Sequence, residues 1–198
     1  MPPVRGVGTA MAMSSERRSK SSAASVERAL DGGDRRSVGQ VAQLVRRVRR
    51  NPAMLGDVVA ALASPRPLVA MRAADALEKI SRDDPNCLAP FRRRLIDVCV
   101  RTGDPVVRWN LIQCLPRLRH RRPALLRLTR QLEVWLMTDP SAIVRATALD
   151  ACVALAERDA ELRPFGERLV AEALAAPSAS LRARARRLSA ARSAPNAR

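Results

Sequence analysis

An internal repeat constrains this chain more than any other feature. Val106–Leu118, VVRWNLIQCLPRL, can be written above Ile143–Leu155, IVRATALDACVAL. Both read V-R-x-x-(A/L)-(L/I)-x-(A/C)-(L/C)-x-x-L. Leu68–Ile80 fits the same frame with Ala70 in the Arg slot, and SLRARARRLSAAR fits with Arg182 there. SVGQVAQLVRRV fits more loosely, with Val38 in the slot. The slot residues Val38, Ala70, Arg108, Arg145 and Arg182 lie 32, 38, 37 and 37 residues apart. A fixed period of this size marks stacked supersecondary units, none of which buries its apolar face alone.

Each repeat opens on a turn signal. Pro65, Pro140 and Pro177 all stand five residues before a slot. Ser64-Pro65, Asp104-Pro105 and Asp139-Pro140 predict helix starts: a side-chain oxygen accepts an orphan amide, and Pro sits in the first turn where its missing N–H costs nothing. Ala176-Pro177 lacks that oxygen, so Ser178 takes the cap one residue later. Between these segments lie further stripes of helical period, over 52–63, 87–100, 123–137 and 162–174. The expected unit is helix, tight turn, helix. Five such pairs run from about residue 23 to 192, preceded by a disordered basic segment, 1–22, and followed by a disordered tail, 193–198. Composition agrees. The chain is 47% hydrophobic but only 2% aromatic, with no Tyr, which disfavours a β-sandwich or barrel and suits closely stacked Ala- and Leu-rich helices.

These motifs resemble HEAT repeats, in particular the short bacterial HEAT-like kind. The resemblance covers roughly residues 37–190. It rests on Asp104-Pro105-Val106-Val107-Arg108, on Asp139-Pro140 with Val144-Arg145, and on the Ala-Leu pattern after each. It implies an all-α fold: an α-solenoid of about five antiparallel helix pairs, with the second helices lining a concave face. It also implies a hydrogen-bonded ladder between repeats, made by Asp104, Arg108, Asp139, Arg145 and Arg182. Tetratricopeptide and ankyrin signatures are absent.

The charge is uneven. Lys+Arg number 36 against 19 Asp+Glu, a net of +17, and only Lys20 and Lys79 are Lys. Residues 104–138 carry +5, 139–176 carry −3 and 177–198 carry +6. So large an excess invites polyanions: acidic proteins, nucleic acid or anionic surfaces. No apolar run is long enough to span a membrane, and the N-terminus is too short and Gly-rich for a convincing signal-peptide core. Cys87, Cys99, Cys114 and Cys152 form no C-x-x-C pair, so reduced core thiols and a cytoplasmic home are expected.

No nucleotide, dinucleotide, serine-hydrolase or zincin motif is present, so no enzyme activity, metal or cofactor is expected. His120, in RLRHRR, reads as a solvated loop residue. The expected role is a binding scaffold for a protein partner with an acidic surface or peptide. The geometry implied by the resemblance puts Arg72, Trp109, Asn110, Gln113 and Arg117 on the partner-facing concave side. A basic edge would gather Arg92, Arg93, Arg94, Arg119, Arg121 and Arg122. Trp109 stays open between exposure and packing. The alternative is nonspecific nucleic-acid binding by the same surface. A minor variant is a HEAT-like glycosylase acting on alkylated bases, for which Gln113 stands where a carboxylate is wanted and Asp75 and Asp150 hold the equivalent places.

Overall fold

The computed structural model describes residues 23–32 and 40–193. The segment 1–22, the Val38 slot and the tail beyond Ser193 lie outside the described residues. Among the described residues there is no strand; the chain is all-α. Its helices are α1 (23–30), α2 (Val41–Arg50), α3 (Leu55–Ala61), α4 (Pro67–Asp83), α5 (Arg92–Arg101), α6 (Pro105–Cys114), α7 (Arg122–Thr138), α8 (Ala142–Arg158), α9 (Arg163–Ala175) and α10 (Ala179–Ser193). Two compact units, Met1–Ile80 and Ser81–Arg198, divide within α4.

In the N-terminal unit, α2 buries Val41, Leu44, Val45 and Val48, one stripe at i, i+3, i+4 and i+7. Arg46, Arg47, Arg49 and Arg50 stand on the exposed side. Three of them lie in the last turn, where cations complement the helix dipole. Gly32 follows α1 at φ +85, a left-handed conformation that glycine adopts without a Cβ clash.

The C-terminal unit is a set of helix pairs: α5 with α6, α7 with α8, α9 with α10. A three-residue link joins α7 to α8 and the two pack together, which for helices of 17 residues requires an antiparallel run. The second helices also pack on one another, α6 on α8 and α8 on α10. Because α8 meets neighbours on so many sides, it is apolar nearly all round, with ten buried residues from Val144 to Ala156. Small side chains let its neighbours approach closely. A Cβ placed on the buried Gly166 of α9 would meet the Cβ of Ala156 at 2.6 Å. Leu111, Ile112, Leu115, Leu132 and Leu149 are fully buried, each stabilising the fold by about 1.5–3 kcal/mol.

Several expected helix starts shift. Asp104 caps α6 as expected, its Oδ1 accepting from Val106 N at 2.8 Å and Val107 N at 3.3 Å. Asp139 does not cap α8, which opens at Ala142; its Oδ1 instead accepts from Ser141 N at 2.9 Å within the turn. Over 52–63, 87–100 and 162–174 the chain enters through 3-10 turns, at Pro52–Met54, Pro85–Phe91 and Ala160–Leu162. Pro90 explains the longest of these, since it offers no N–H to an α-helical ladder.

Candidate functional site

The slot arginines sit at helix ends and spend their donors there. Arg108 Nη2 donates to Thr102 O, Arg145 Nη1 to Asp139 O at 2.7 Å, and Arg182 Nη1 to Ala176 O at 2.8 Å. Each acceptor lies six residues upstream and is the residue that ends the preceding helix, α5, α7 or α9. A guanidinium there satisfies carbonyls the helix leaves orphaned and complements the negative end of its dipole. Arg108 goes further, donating to Cys99 O at 3.3 Å and to Asp139 Oδ2 at 2.8 Å, and it lies over the Trp135 ring at 5.6 Å. Asp139 is 4% exposed, so this pair carries weight that an exposed pair would not. Arg145 has no equivalent carboxylate ahead, because Ala176 occupies the place of Asp139.

Arg72 was expected to face a partner, and the structure corrects this. It is 1% exposed, and its Nη1 donates to Leu30 O at 2.9 Å and Gly32 O at 2.5 Å. It closes the C-terminus of α1 as the slot arginines close α5, α7 and α9. Asn110 is also corrected: it is buried, and its Nδ2 donates to Val106 O at 3.0 Å, one helical turn back. Neither offers surface to a ligand.

Gln113 and Arg117 do reach an open groove, between α6 and α8, of about 240 Å³. Thr147, Asp150 and Ala154 line its other side. Arg117 Nη1 donates to Ser81 Oγ at 2.6 Å. Asp150 Oδ2 accepts from Arg184 at 2.8 Å, while Oδ1 is buried without a hydrogen-bond partner among the described residues. Burial pushes the Asp150 carboxyl up, against the pull of Arg184 and Arg187. Trp109 is half-buried and does not line this groove. Asp75 is held by Lys79 on the same helix.

The expected basic edge divides. Arg122 is bound to Asp159 and Glu161, so its charge is compensated. Arg94 and Arg121 are exposed, and Arg119 lines a small pocket with His120. Arg92 and Arg93 line a larger groove, about 530 Å³, between α5 and α7. Its apolar lining is Ile96, Val100, Ala124, Leu128 and Trp135; its polar lining is Arg92, Arg93, Arg127, Asp97 and Gln131. Arg92 Nε is buried without an acceptor among the described residues. Asp97, Val100, Arg127 and Gln131 were not singled out from sequence, and Ile96 was read only as part of the apolar stripe over 87–100. Val100 is the signal that could have found them, an apolar residue one turn beyond Ile96 that the core stripe of α5 does not need; it is 44% exposed.

The acidic block, 139–176, answers to its neighbours. Arg108–Asp139, Arg122–Asp159 and Arg184–Asp150 join residues 31, 37 and 34 apart, about one repeat. These carboxylates compensate cations of the adjoining repeats, whereas the α5–α7 groove sets Arg92, Arg93 and Arg127 against Asp97.

His120 departs from its expected solvated state. Its Nε2 pairs with Leu115 O at 2.8 Å, which places the ring proton on that nitrogen. Burial, with Arg92 and Arg158 nearby, holds its pKa below the usual histidine range. All four cysteines are thiols, none of them in a disulfide. Cys99, Cys114 and Cys152 are buried as expected; Cys87 is half-buried, its thiol pushed up to about 11 by burial. Among the described residues no helix is long and apolar enough to cross a membrane, and no group of metal-ligating side chains gathers. Compared with known proteins, the chain matches no family model, no curated protein and no solved structure.

Proposed function

We propose that the chain is a non-catalytic HEAT-like α-solenoid that scaffolds an acidic protein partner in the cytoplasm. The packing of α6 on α8 and of α8 on α10 supports the solenoid reading, as does the recurrence of an arginine bonded six residues upstream. About five helix pairs would stack in this way. Unbridged thiols suit a reducing compartment.

One observation carries the partner reading. The arginines of the repeat frame each bond a carbonyl at the end of the preceding helix, whereas those beside α5 and α7 face an open groove with an apolar floor. An apolar floor with a cationic rim suits a protein segment better than a phosphate backbone, which gains nothing from Ile96 or Val100. The α6–α8 groove, with Gln113 and Arg117, offers a second contact on the concave side. Gln113 cannot supply the carboxylate that a glycosylase would need at its place, and Asp150 is engaged by Arg184.

The test is affinity capture from the native host with three baits: wild type, an Arg93→Glu/Arg127→Glu double variant, and Gln113→Ala/Arg117→Ala. Acidic prey retained by wild type and lost by either variant supports the reading. Prey lists that are identical for all three refute it. Duplex DNA retained at about 50 mM salt and shed steeply above it would favour nucleic acid instead.

A further inference from the structure

We infer that the α5–α7 groove is a docking site for an acidic amphipathic helix of the partner. This rests on the acidic-partner reading and adds to it the place and the shape of the ligand. The groove has helix dimensions. Its α5 side runs from Arg92 to Val100 and its α7 side from Ala124 to Trp135, roughly 12–16 Å at 1.5 Å per residue, or two to three helical turns. Ile96 and Val100 stand one turn apart on one wall; Ala124 and Leu128 stand one turn apart on the other, with Trp135 two turns on. Such ridges receive side chains spaced i, i+3/i+4, i+7, the anchoring pattern of a helix in a groove.

Charge selects the occupant. Arg92, Arg93 and Arg127 face the groove against the single carboxylate of Asp97. A ligand carboxylate on this rim would gain charge-assisted hydrogen bonds from the exposed Arg93 and Arg127 guanidinium groups. The chain's own flanking segments are poor candidates: residues 1–36 carry +3, and 194–198 carry one arginine and no acid. A second copy, at +17, would be repelled.

The test uses the full chain and a fluorescein-labelled synthetic helix with leucines at i, i+3, i+4 and i+7 flanked by glutamates. A control peptide of equal charge carries serines in place of the leucines. Anisotropy titrations would compare wild type with Val100→Asp, Arg127→Glu and Arg186→Glu. Position 186 is exposed and lies away from the groove, so Arg186→Glu controls for net charge alone. Val100 and Arg127 are exposed enough that their variants should fold, which circular dichroism would verify. The leucine peptide should bind at least about tenfold tighter than the serine peptide, and Val100→Asp and Arg127→Glu should each weaken it about tenfold. Arg186→Glu should change little. Equal binding of both peptides, or loss shared evenly by both Arg→Glu variants, overturns the groove while leaving an acidic partner in place. Leucine-peptide binding untouched by Val100→Asp also overturns it. Binding of duplex DNA but of neither peptide overturns both readings.

Discussion

Two regions of the C-terminal unit use the same side chain in opposite ways. At the helix-end seam, Arg108 donates to Cys99 O, Thr102 O and the buried Asp139 carboxylate. In the α5–α7 groove, Arg93 and Arg127 are exposed beside apolar side chains. A guanidinium that donates from every nitrogen is part of the architecture; one left on the rim of an open apolar groove is available for recognition. The N-terminal unit repeats the first use with Arg72, which closes α1 through Leu30 O and Gly32 O. Net charge therefore says little until the engaged arginines are set aside.

The contrast predicts unequal costs. Arg108→Ala should have the largest effect, about 2–4 kcal/mol by urea denaturation, since it strands a buried carboxylate and a helix end together. If it cost no more than an exposed arginine, the seam would not be structural. Arg72→Met keeps much of the apolar stem and leaves two carbonyls unpaired, so about 1–3 kcal/mol should be lost. Gly166→Ala brings a Cβ onto Ala156 at 2.6 Å. The overlap outweighs alanine's better helix propensity, for a net loss of about 1–2 kcal/mol in a thermal melt. Gly103→Ala, with nothing within 4 Å of its added Cβ, is the matched control. At the small end, Arg127→Ala should stay within about 0.5 kcal/mol of wild type.

His120 adds a pH dependence. Its folded pKa lies below the ordinary 6.5. The unfolded chain then takes up a proton before the folded one does. The stability this contributes is complete above the unfolded value and is lost as pH falls through the folded value. Melts of wild type and His120→Gln should diverge in slope below about pH 6.5; parallel curves would mean that His120 is solvated after all.

Some of this was legible in the sequence. The V-R frame with Asp104 and Asp139 pointed to helices and turns, because capping chemistry and helical period are local; the arginine seam was expected only from the resemblance to HEAT repeats. The burial of Cys99, Cys114 and Cys152 was also expected. Arg72 was illegible: Ala70 holds the slot, and the bonds that bury Arg72 reach 40 and 42 residues back, to a helix end whose place the sequence does not state. The groove was hidden for a similar reason. Val100 and Ile96 look like core on a single helix, and only the spacing between α5 and α7 leaves them open. His120 looked solvated among like charges, but the carbonyl of Leu115 draws its ring inward.

Arginine-directed labelling with phenylglyoxal, read site by site by mass spectrometry on the folded full chain, compares seam and groove in one measurement. Arg93 and Arg127 should be modified early, while Arg72 and Arg108 wait for local opening. Labelling of Arg108 or Arg72 as fast as Arg127 would contradict the division between structural and available arginines.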